Sequence, residues 1–487
     1  MNIKKIFLVA ITVIATQYSY AQYYTDALRF SQFQSSVTAR FDAMGGAKSA
    51  VGGDLSSLYG NPAGLGMFSK SEFNLTPSFS SRNNNITANA TNSNTANSNL
   101  NLDNIGIVFN GKTYKNKDLK KGLISFSFGI GYQSRNNFQN NFNYDFTTSS
   151  NGLGDYFAST ASTENSVPQN FVSNVNFGAY NSFLINQRPG SQTAYDPITS
   201  TSAQQNQSVN RTGVSSSVDF AGAINISNQF FLGANIGLTS FRYNSIENTN
   251  ETGLFRDPNS GNDFNYDVDY IRNFNTEGSG INLKLGAIIK PTNELRIGFS
   301  IESPTWFNVT DNYSEQLNNG LDNINETDNY PFEYSLNTPL RMQGGMAFFF
   351  GSKGFISADI GYVDYSSIKF KSGNSNVDAV NNSDIKSNFT NAINYNVGGE
   401  VKLTNRYMAR LGFNSQGDPY LGGNNQTINT YSGGLGYRDG IYYLDLGYAY
   451  NSQSLSYSNY QLAQNRQPIS NIATQRNNIT LTFGVRF

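Results

Sequence analysis

The chain has 487 residues, no Cys and no His, so the thiolate and imidazole groups behind most nucleophilic and zinc chemistry are missing. With 33 Lys and Arg against 34 Asp and Glu, the net charge of −1 offers no cationic excess for nucleic acid. Aromatic residues reach 14% while charged residues reach only 14%, fewer than a soluble surface carries; the mean hydropathy of −0.44 is what strands alternating between lipid and a wet lumen average to.

In chain order, Lys4 and Lys5 precede an apolar run over 6–15 and the cleavage-like "SYAQ" ending at Ala21. The run is far shorter than the roughly 20 residues of a spanning helix and predicts a signal peptide over 1–21. Next comes "AMGGAKSAVGGDLSSLYGNPAGLGMF", Ala43 to Phe68, small, Gly-rich and stiffened at Pro62. It reads as turns and short helices. We expect residues 22–70 to form a plug, or hatch, inside a barrel built from 71–487.

The barrel expectation rests on alternation. In the last segment Ile479, Leu481, Phe483, Val485 and Phe487 share one face against Thr480, Thr482, Gly484 and Arg486. Phe126 and Phe128 oppose Ser125 and Ser127 in the same way, and Tyr442, Leu444, Leu446 and Tyr448 oppose Tyr443, Asp445 and Gly447. Fourteen such segments are predicted, at 71–81, 102–110, 122–134, 215–226, 230–244, 264–289, 294–310, 330–350, 354–370, 390–403, 406–414, 427–437, 441–451 and 477–487. The segment 264–289 is long enough for two strands. Brief links such as "SNQ", "KPTN", "GSK", "TN" and "RDG" interleave with long polar ones, the pattern of short periplasmic turns and long outer loops. The fold class is thus an all-β membrane protein, a fourteen-stranded antiparallel transmembrane barrel with an N-terminal hatch.

Two links stand out. Residues 82–101, "RNNNITANATNSNTANSNLN", are Asn-rich and read as a mobile, solvated loop. The connection 135–208 is longer than loop statistics favour. Within it Phe171, Val175, Phe177, Tyr180, Phe183 and Leu184 fall near helical spacing. They form either an apolar capture groove or a loop helix packed on its neighbours. Asp263, Asp267 and Asp269 could hold calcium, although scattered loop carboxylates are usually solvated. "GGAKSAVGG" lacks the spacing of a phosphate loop. No cofactor or resident metal is implied.

Residues 39–65, "ARFDAMGGAKSAVGGDLSSLYGNPAGL", resemble the hatch of the FadL-type transporters of the outer membrane, in the form found in many Bacteroidetes. The resemblance implies a fourteen-stranded barrel in a Gram-negative outer membrane, and an "NPA" signature at Asn61, Pro62 and Ala63. It also implies a strand kink that opens a lateral gap beside the hatch. Gly45, Gly46, Asn61, Pro62, Ala63, Gly64 and Leu65 are then the hatch and gate residues. The function implied is passive uptake of hydrophobic molecules such as long-chain fatty acids or hydrocarbons, released sideways when the hatch moves. Arg40 and Lys48 are candidate partners for a carboxylate head group, against a plain reading as structural or solvated charges. Phe171, Phe177, Tyr180, Phe183 and Leu184 are candidate ligand contacts. Expected partners are a hydrophobic small molecule, outer-membrane lipid and the barrel assembly machinery during insertion. A shuttle or attachment protein of a type nine secretion system has a similar barrel and is the alternative. A barrel-embedded enzyme is disfavoured by the absence of His.

Overall fold

The structure, a computed structural model, describes residues 20–33, 38–113, 121–148, 151–319, 324–422, 426–462 and 466–487. Residues 1–19, most of the expected signal peptide, lie outside the described residues. Eighteen strand segments join in one antiparallel sheet, and eight of them are the halves of four interrupted strands. The result is a closed fourteen-stranded barrel. Its strands are β1 (Glu72–Ala88), β2 (Thr91–Lys112), β3 (Leu123–Asn137, continued as Asn140–Thr147), β4 (Gln204–Ile226), β5 (Phe230–Arg256) and β6 (Asp263–Ile289). Then follow β7 (Leu295–Glu302 and Trp306–Asn319), β8 (Ile324–Asn337 and Arg341–Phe349), β9 (Gly354–Asp364 and Lys369–Lys371) and β10 (Asn391–Lys402). The last four are β11 (Tyr407–Gln416), β12 (Ile428–Asp439), β13 (Tyr442–Tyr457) and β14 (Ser470–Arg486). Closure comes from β14 pairing with β1 from Glu72↔Arg486 to Ala88↔Ser470. The Phe487 N–H completes the seal by donating to the Ser71 carbonyl at 2.9 Å.

Alternation places the side chains as expected, with the inside more polar than the outside. Leu444, Leu446 and Tyr448 are exposed while Tyr443 and Asp445 between them are buried. On β14, Ile479, Leu481 and Phe483 face out and Thr480 and Thr482 face in. Inter-strand pairing of this kind satisfies backbone groups that have no water to bond to, and the apolar outer face removes the cost of facing hydrocarbon.

Several expectations are corrected by the structure. Residues 82–101 are no loop: β1 and β2 run on in register to Ala88↔Thr91 around a two-residue turn in which Asn89 and Ala90 have φ of 42° and 67°. Asn tolerates that left-handed turn geometry, and the polar Asn, Ser and Thr suit strands standing above the membrane. The segment expected to be one or two strands is the single 27-residue β6, paired throughout with β5. Both greatly exceed the 9–11 or so residues that a spanning strand needs, so they rise beyond the bilayer as the wall of an outer vestibule. The connection between β3 and β4 is also shorter than expected, since the strands extend into it. It holds α3 (Leu153–Glu164), α4 (Asn174–Asn181) and a small hairpin, Ile185–Gln187 with Tyr195–Pro197. In chain order these follow α1 (Tyr20–Ser31) and α2 (Ala39–Asp42) and precede α5 (Ser375–Asn388) between β9 and β10.

If the face carrying Leu444, Leu446 and Tyr448 meets hydrocarbon, Leu446→Arg, near its middle, costs about 2–4 kcal/mol in urea-titrated folding into lipid vesicles. A cost near zero would put this face outside the hydrocarbon.

Candidate functional site

Residues 38–68 fill the lumen near the end with the short turns. Two 3-10 turns carry this segment, and each is capped. The Asp54 carboxylate accepts from Ser56 N at 2.9 Å before Leu55–Ser57, and Asn61 Oδ1 accepts from Ala63 N at 3.1 Å before Pro62–Met67. Pro62 at the first position has no N–H to leave unsatisfied, and Asn is among the best N-cap residues, which is the physical content of "NPA". Asn61 also donates to the carbonyls of Ser49 (2.7 Å) and of Ala287 on β6 (3.2 Å), so one side chain ties the turn to the hatch and to the wall. Gly45 and Gly46, at φ of 63° and 76°, make a left-handed reversal after α2. Gly64 packs against Gly52, while Leu65 lies in an apolar cluster with Leu55, Leu58 and Tyr59 that abuts Val108, Ala221 and Ala223 of the wall.

The wall makes room for this. A Cβ on Gly286 would strike Asn61 and Pro62, one on Gly233 would strike Pro62 and Ala63, and one on Gly398 or Gly412 would strike Met44. These glycines on the lumenal faces of the strands were not among the residues singled out from the sequence. Their signal was present, since a glycine within a strand marks a place where another backbone approaches closely.

Hydrogen bonds anchor the hatch around most of the wall. The Asp359 carboxylate accepts from Lys48 N (2.8 Å) and Ser49 N (2.9 Å); Ala39 N donates to Thr482 Oγ1 at 2.7 Å; Asn235 and Lys284 donate to the carbonyls of Leu58 and Tyr59 at 2.9 and 3.0 Å. Arg40 grips Glu400 with two bonds of 2.9 and 3.1 Å, and Glu400 continues through Arg410 (2.7 Å) to Asp445 (2.8 Å) and Arg438 (3.1 Å). The Arg40 fork is therefore occupied by a wall carboxylate. Lys48 makes no ion pair within 4.0 Å among the described residues and lines a polar cavity above the hatch.

Above that cavity lies α1, which the sequence reading did not single out. Tyr23, Ala27, Leu28 and Phe30 are buried in a cluster with Phe241, Tyr243, Phe307, Tyr334 and Phe370. Phe30 stacks on Phe241 at 4.0 Å and Tyr23 on Phe332 at 5.0 Å. The spacing Tyr23, Ala27, Phe30 is that of one helical face and was the available signal. Higher still, the link between β3 and β4 packs as a cap: Leu184 is fully buried, Phe171 and Tyr180 pack against the same core, and Phe177 and Phe183 keep 37% and 39% exposure. Phe183 stacks on Phe255 at 5.3 Å. The helix α4 takes in only Phe177 and Tyr180 of these five, and Phe171, Tyr180 and Leu184 pack inward while Phe177 and Phe183 form a partly open rim. Of the acidic trio, Asp267 and Asp269 accept from Asn250 and Asn248, and Asp263 lies 3.8 Å from Arg256.

One stretch of wall is different. The β2–β3 ladder stops at Asn104↔Gln133, and among the described residues no backbone pairing joins 91–103 to β3. Ser134 and Arg135 are consecutive buried residues at a register shift, so β3 bulges and its upper half turns inward. There Phe142, Tyr144 and Phe146 pack on Ile86, Ala88 and Ile472 of the inner wall. Side chains bridge the resulting seam: Asn137 donates to Asn101 Oδ1 (2.7 Å), Asn97 to the Asn141 carbonyl (2.6 Å), Arg82 to the Gln139 carbonyl (2.7 Å) and Asn84 to Asn140 Oδ1 (2.8 Å).

A family model described as outer membrane protein transport protein (OMPP1/FadL/TodX) matches residues 19–485. No curated protein matches the chain. Among solved structures, a FadL homologue from Pseudomonas aeruginosa superposes with a TM-score of 0.57 at 12% identity, covering 94% of this chain and all of the other. The toluene transporter TodX of P. putida gives 0.53 at 12% identity, covering 92% and 98%. The monoaromatic hydrocarbon channel CymD gives 0.53 at 11%, covering 93% and 97%. At such identities the superpositions speak for the fold, and the match over nearly the whole sequence speaks for descent. The chain belongs to the OMPP1/FadL/TodX family of outer-membrane transport proteins.

Proposed function

We propose that the protein carries small hydrophobic molecules, fatty acids or hydrocarbons among them, passively through the outer membrane. Residues 1–21 serve as signal peptide, 22–70 as the hatch, with α1 as its moving part and 38–68 as its firmer part, and 71–487 as the barrel. The solved neighbours named as toluene and monoaromatic hydrocarbon transporters make such ligands reasonable here. The single observation that carries the reading is the contact between the lumenal plug and the seam. Phe30 of α1 meets Phe138, at the β3 break, at 6.0 Å, and Asn136 donates to the Gln32 carbonyl at 3.4 Å. A ligand that displaces α1 therefore loosens the seam as well.

Energetics favour a sideways exit. Each CH₂ buried gains about 0.8 kcal/mol, so a long chain held in the aromatic cluster would lose most of its binding energy on entering aqueous periplasm. Passing between β2 and β3 into the bilayer keeps that burial. Loss of residues 1–21 shortens the 12-residue α1 to 22–31, and an isolated helix that short is marginal in water, so α1 depends on the lumen for its order and is suited to be displaced. Surrounding lipid and the barrel assembly machinery are the remaining partners we expect, with a Bacteroidetes cell as source. Neither the family nor its solved neighbours support the secretion-shuttle reading.

Mass spectrometry of ligands extracted from the purified protein, paired with uptake in a deletion strain, tests the proposal. We expect apolar ligands and impaired uptake of hexadecane or hexadecanoate, and finding neither would defeat it. Because the chain has no native Cys, Asn101→Cys with Asn137→Cys allows the seam to be crosslinked cleanly. Bridging should lower uptake severalfold and reduction should restore it; unchanged uptake in the bridged form would exclude the seam as the exit. Gly286→Leu, which intrudes on Asn61 and Pro62, should unseat the hatch turn. The expected readout is faster proteolysis within 54–68 with the barrel still resistant to heat, and wild-type protection would contradict the close fit.

A further inference from the structure

On the outside of the barrel the wall changes character within one step of strand register. The residues of β5 that face out from its lower end, Phe230, Leu232, Ala234, Ile236 and Leu238, are apolar, and so are Ile281, Leu283, Leu285, Ala287 and Ile289 of the paired β6. Each run covers nine residues, about the length that crosses hydrocarbon. Trp306, the one Trp of the chain, pairs with Ile281 at the upper border of this band and is 44% exposed. Trp gathers at the level of lipid head groups, which fixes the height of the border.

Directly above it, one register row across β4 to β9 reads Ser216, Ser240, Ser279, Asn308, Ser335 and Lys371. The next row up reads Arg242, Glu277, Thr310 and Glu333 across β5 to β8. Together these side chains line an outward-facing groove of about 970 Å³. At about 4.8 Å per strand the lower row follows the wall for roughly 24 Å, far more than one phosphate group occupies.

The charges are ordered along the groove, with a cation toward each end, Arg242 on β5 and Lys371 on β9, and the carboxylates of Glu277 and Glu333 between them. Arg242 and Glu277 pair at 2.7 Å but are 65% and 54% exposed, and an ion pair so solvated is weak and readily exchanged. Lys371 and Glu333 are exposed and make no ion pair within 4.0 Å among the described residues. A phospholipid head brings one phosphate and finds two carboxylates facing it. A phosphorylated sugar suits the whole set: its phosphates take charge-assisted bonds from the cations, and its hydroxyls donate to the carboxylates and exchange bonds with the Ser and Asn side chains. Acyl chains carried by such a head run down over Leu238, Ile281 and Leu283, which are already exposed to hydrocarbon.

We propose that this groove seats an outer-leaflet glycolipid, its phosphorylated sugar head held by Arg242, Lys371, Glu277 and Glu333 and its acyl chains lying on the apolar band below. The occupant is a resident of the membrane and not cargo, so the site lies outside the barrel and apart from the route through the lumen. It stands whether or not the transport reading above does.

The test uses full-length protein in detergent, freed of co-purified lipid. It is titrated with diphosphoryl lipid A, an acylated disaccharide with two phosphates, with phosphatidylglycerol and with free glucosamine 6-phosphate. The emission of Trp306 is followed, with no second indole to obscure it, and thermal unfolding is the second readout. Lipid A should act saturably at about tenfold lower concentration than phosphatidylglycerol, and the soluble sugar phosphate should have no effect over the same range. Arg242→Gln and Lys371→Gln should each weaken lipid A severalfold and leave phosphatidylglycerol unchanged. Ser279→Phe, which sets a ring in the groove from an exposed position, should abolish the preference. Equal response to lipid A and phosphatidylglycerol, or no response to lipid A in either readout, would reduce the groove to ordinary lipid contact and overturn the proposal. A response to glucosamine 6-phosphate as strong as to lipid A would assign the groove to a soluble sugar and reject the glycolipid. Wild-type lipid A binding in all three variants would place the lipid elsewhere and overturn the site.

Discussion

The constraint on which the rest depends is that backbone groups in hydrocarbon have no water to bond to. Pairing of β14 with β1 meets it by closing the sheet, and the tie from Phe487 to Ser71 finishes the seam at the terminus. Closure requires one face for lipid and one for the lumen, and here the lumen is filled near one end by residues 38–68. Side chains alone do not fill a barrel of fourteen strands, which leaves room for the N-terminal residues inside it.

Seen against closure, the place where the ladder is released becomes the most informative part of the wall. Between 91–103 and the upper half of β3 backbone pairing gives way to side-chain amides. An Asn amide both donates and accepts, so it can stand in for a peptide group, yet each such bond is made by a side chain free to rotate away. The Asn-rich stretch thereby acquires a physical role: it seals a junction that an ordinary ladder would lock. The inward turn of β3 that opens the junction also carries Phe138 to α1, joining wall and plug.

Two chemistries divide the lumen. The hatch is bound to the wall mainly by hydrogen bonds and by the Arg40, Glu400, Arg410 and Asp445 chain, in which removing one partner leaves its neighbours buried and unpaired. Aromatic packing, which has little directionality, holds α1 instead. A segment retained by non-directional contacts can be replaced by any apolar body of similar shape. Directional bonds thus hold 38–68, and packing holds most of α1.

Much of the architecture was legible in the sequence. Alternating pairs such as Phe126/Ser127 and Leu446/Asp445 assign lipid and lumen faces because the strand period of two is local, and the run of short and long links gives the strand number without reference to contacts. The hatch turn was legible as well, since the N-cap and Pro62 act within a few residues. What could not be read were the meetings of distant residues: Arg82 with Gln139, Arg40 with Glu400, Phe33 with Arg135 and Arg341, and Pro62 with Gly286. These depend on strand register and on the closure of the cylinder, which only the tertiary structure decides. For the same reason the Asn-rich stretch read as loop, because its composition is that of a solvated segment and only the neighbouring strand reveals it as a seam.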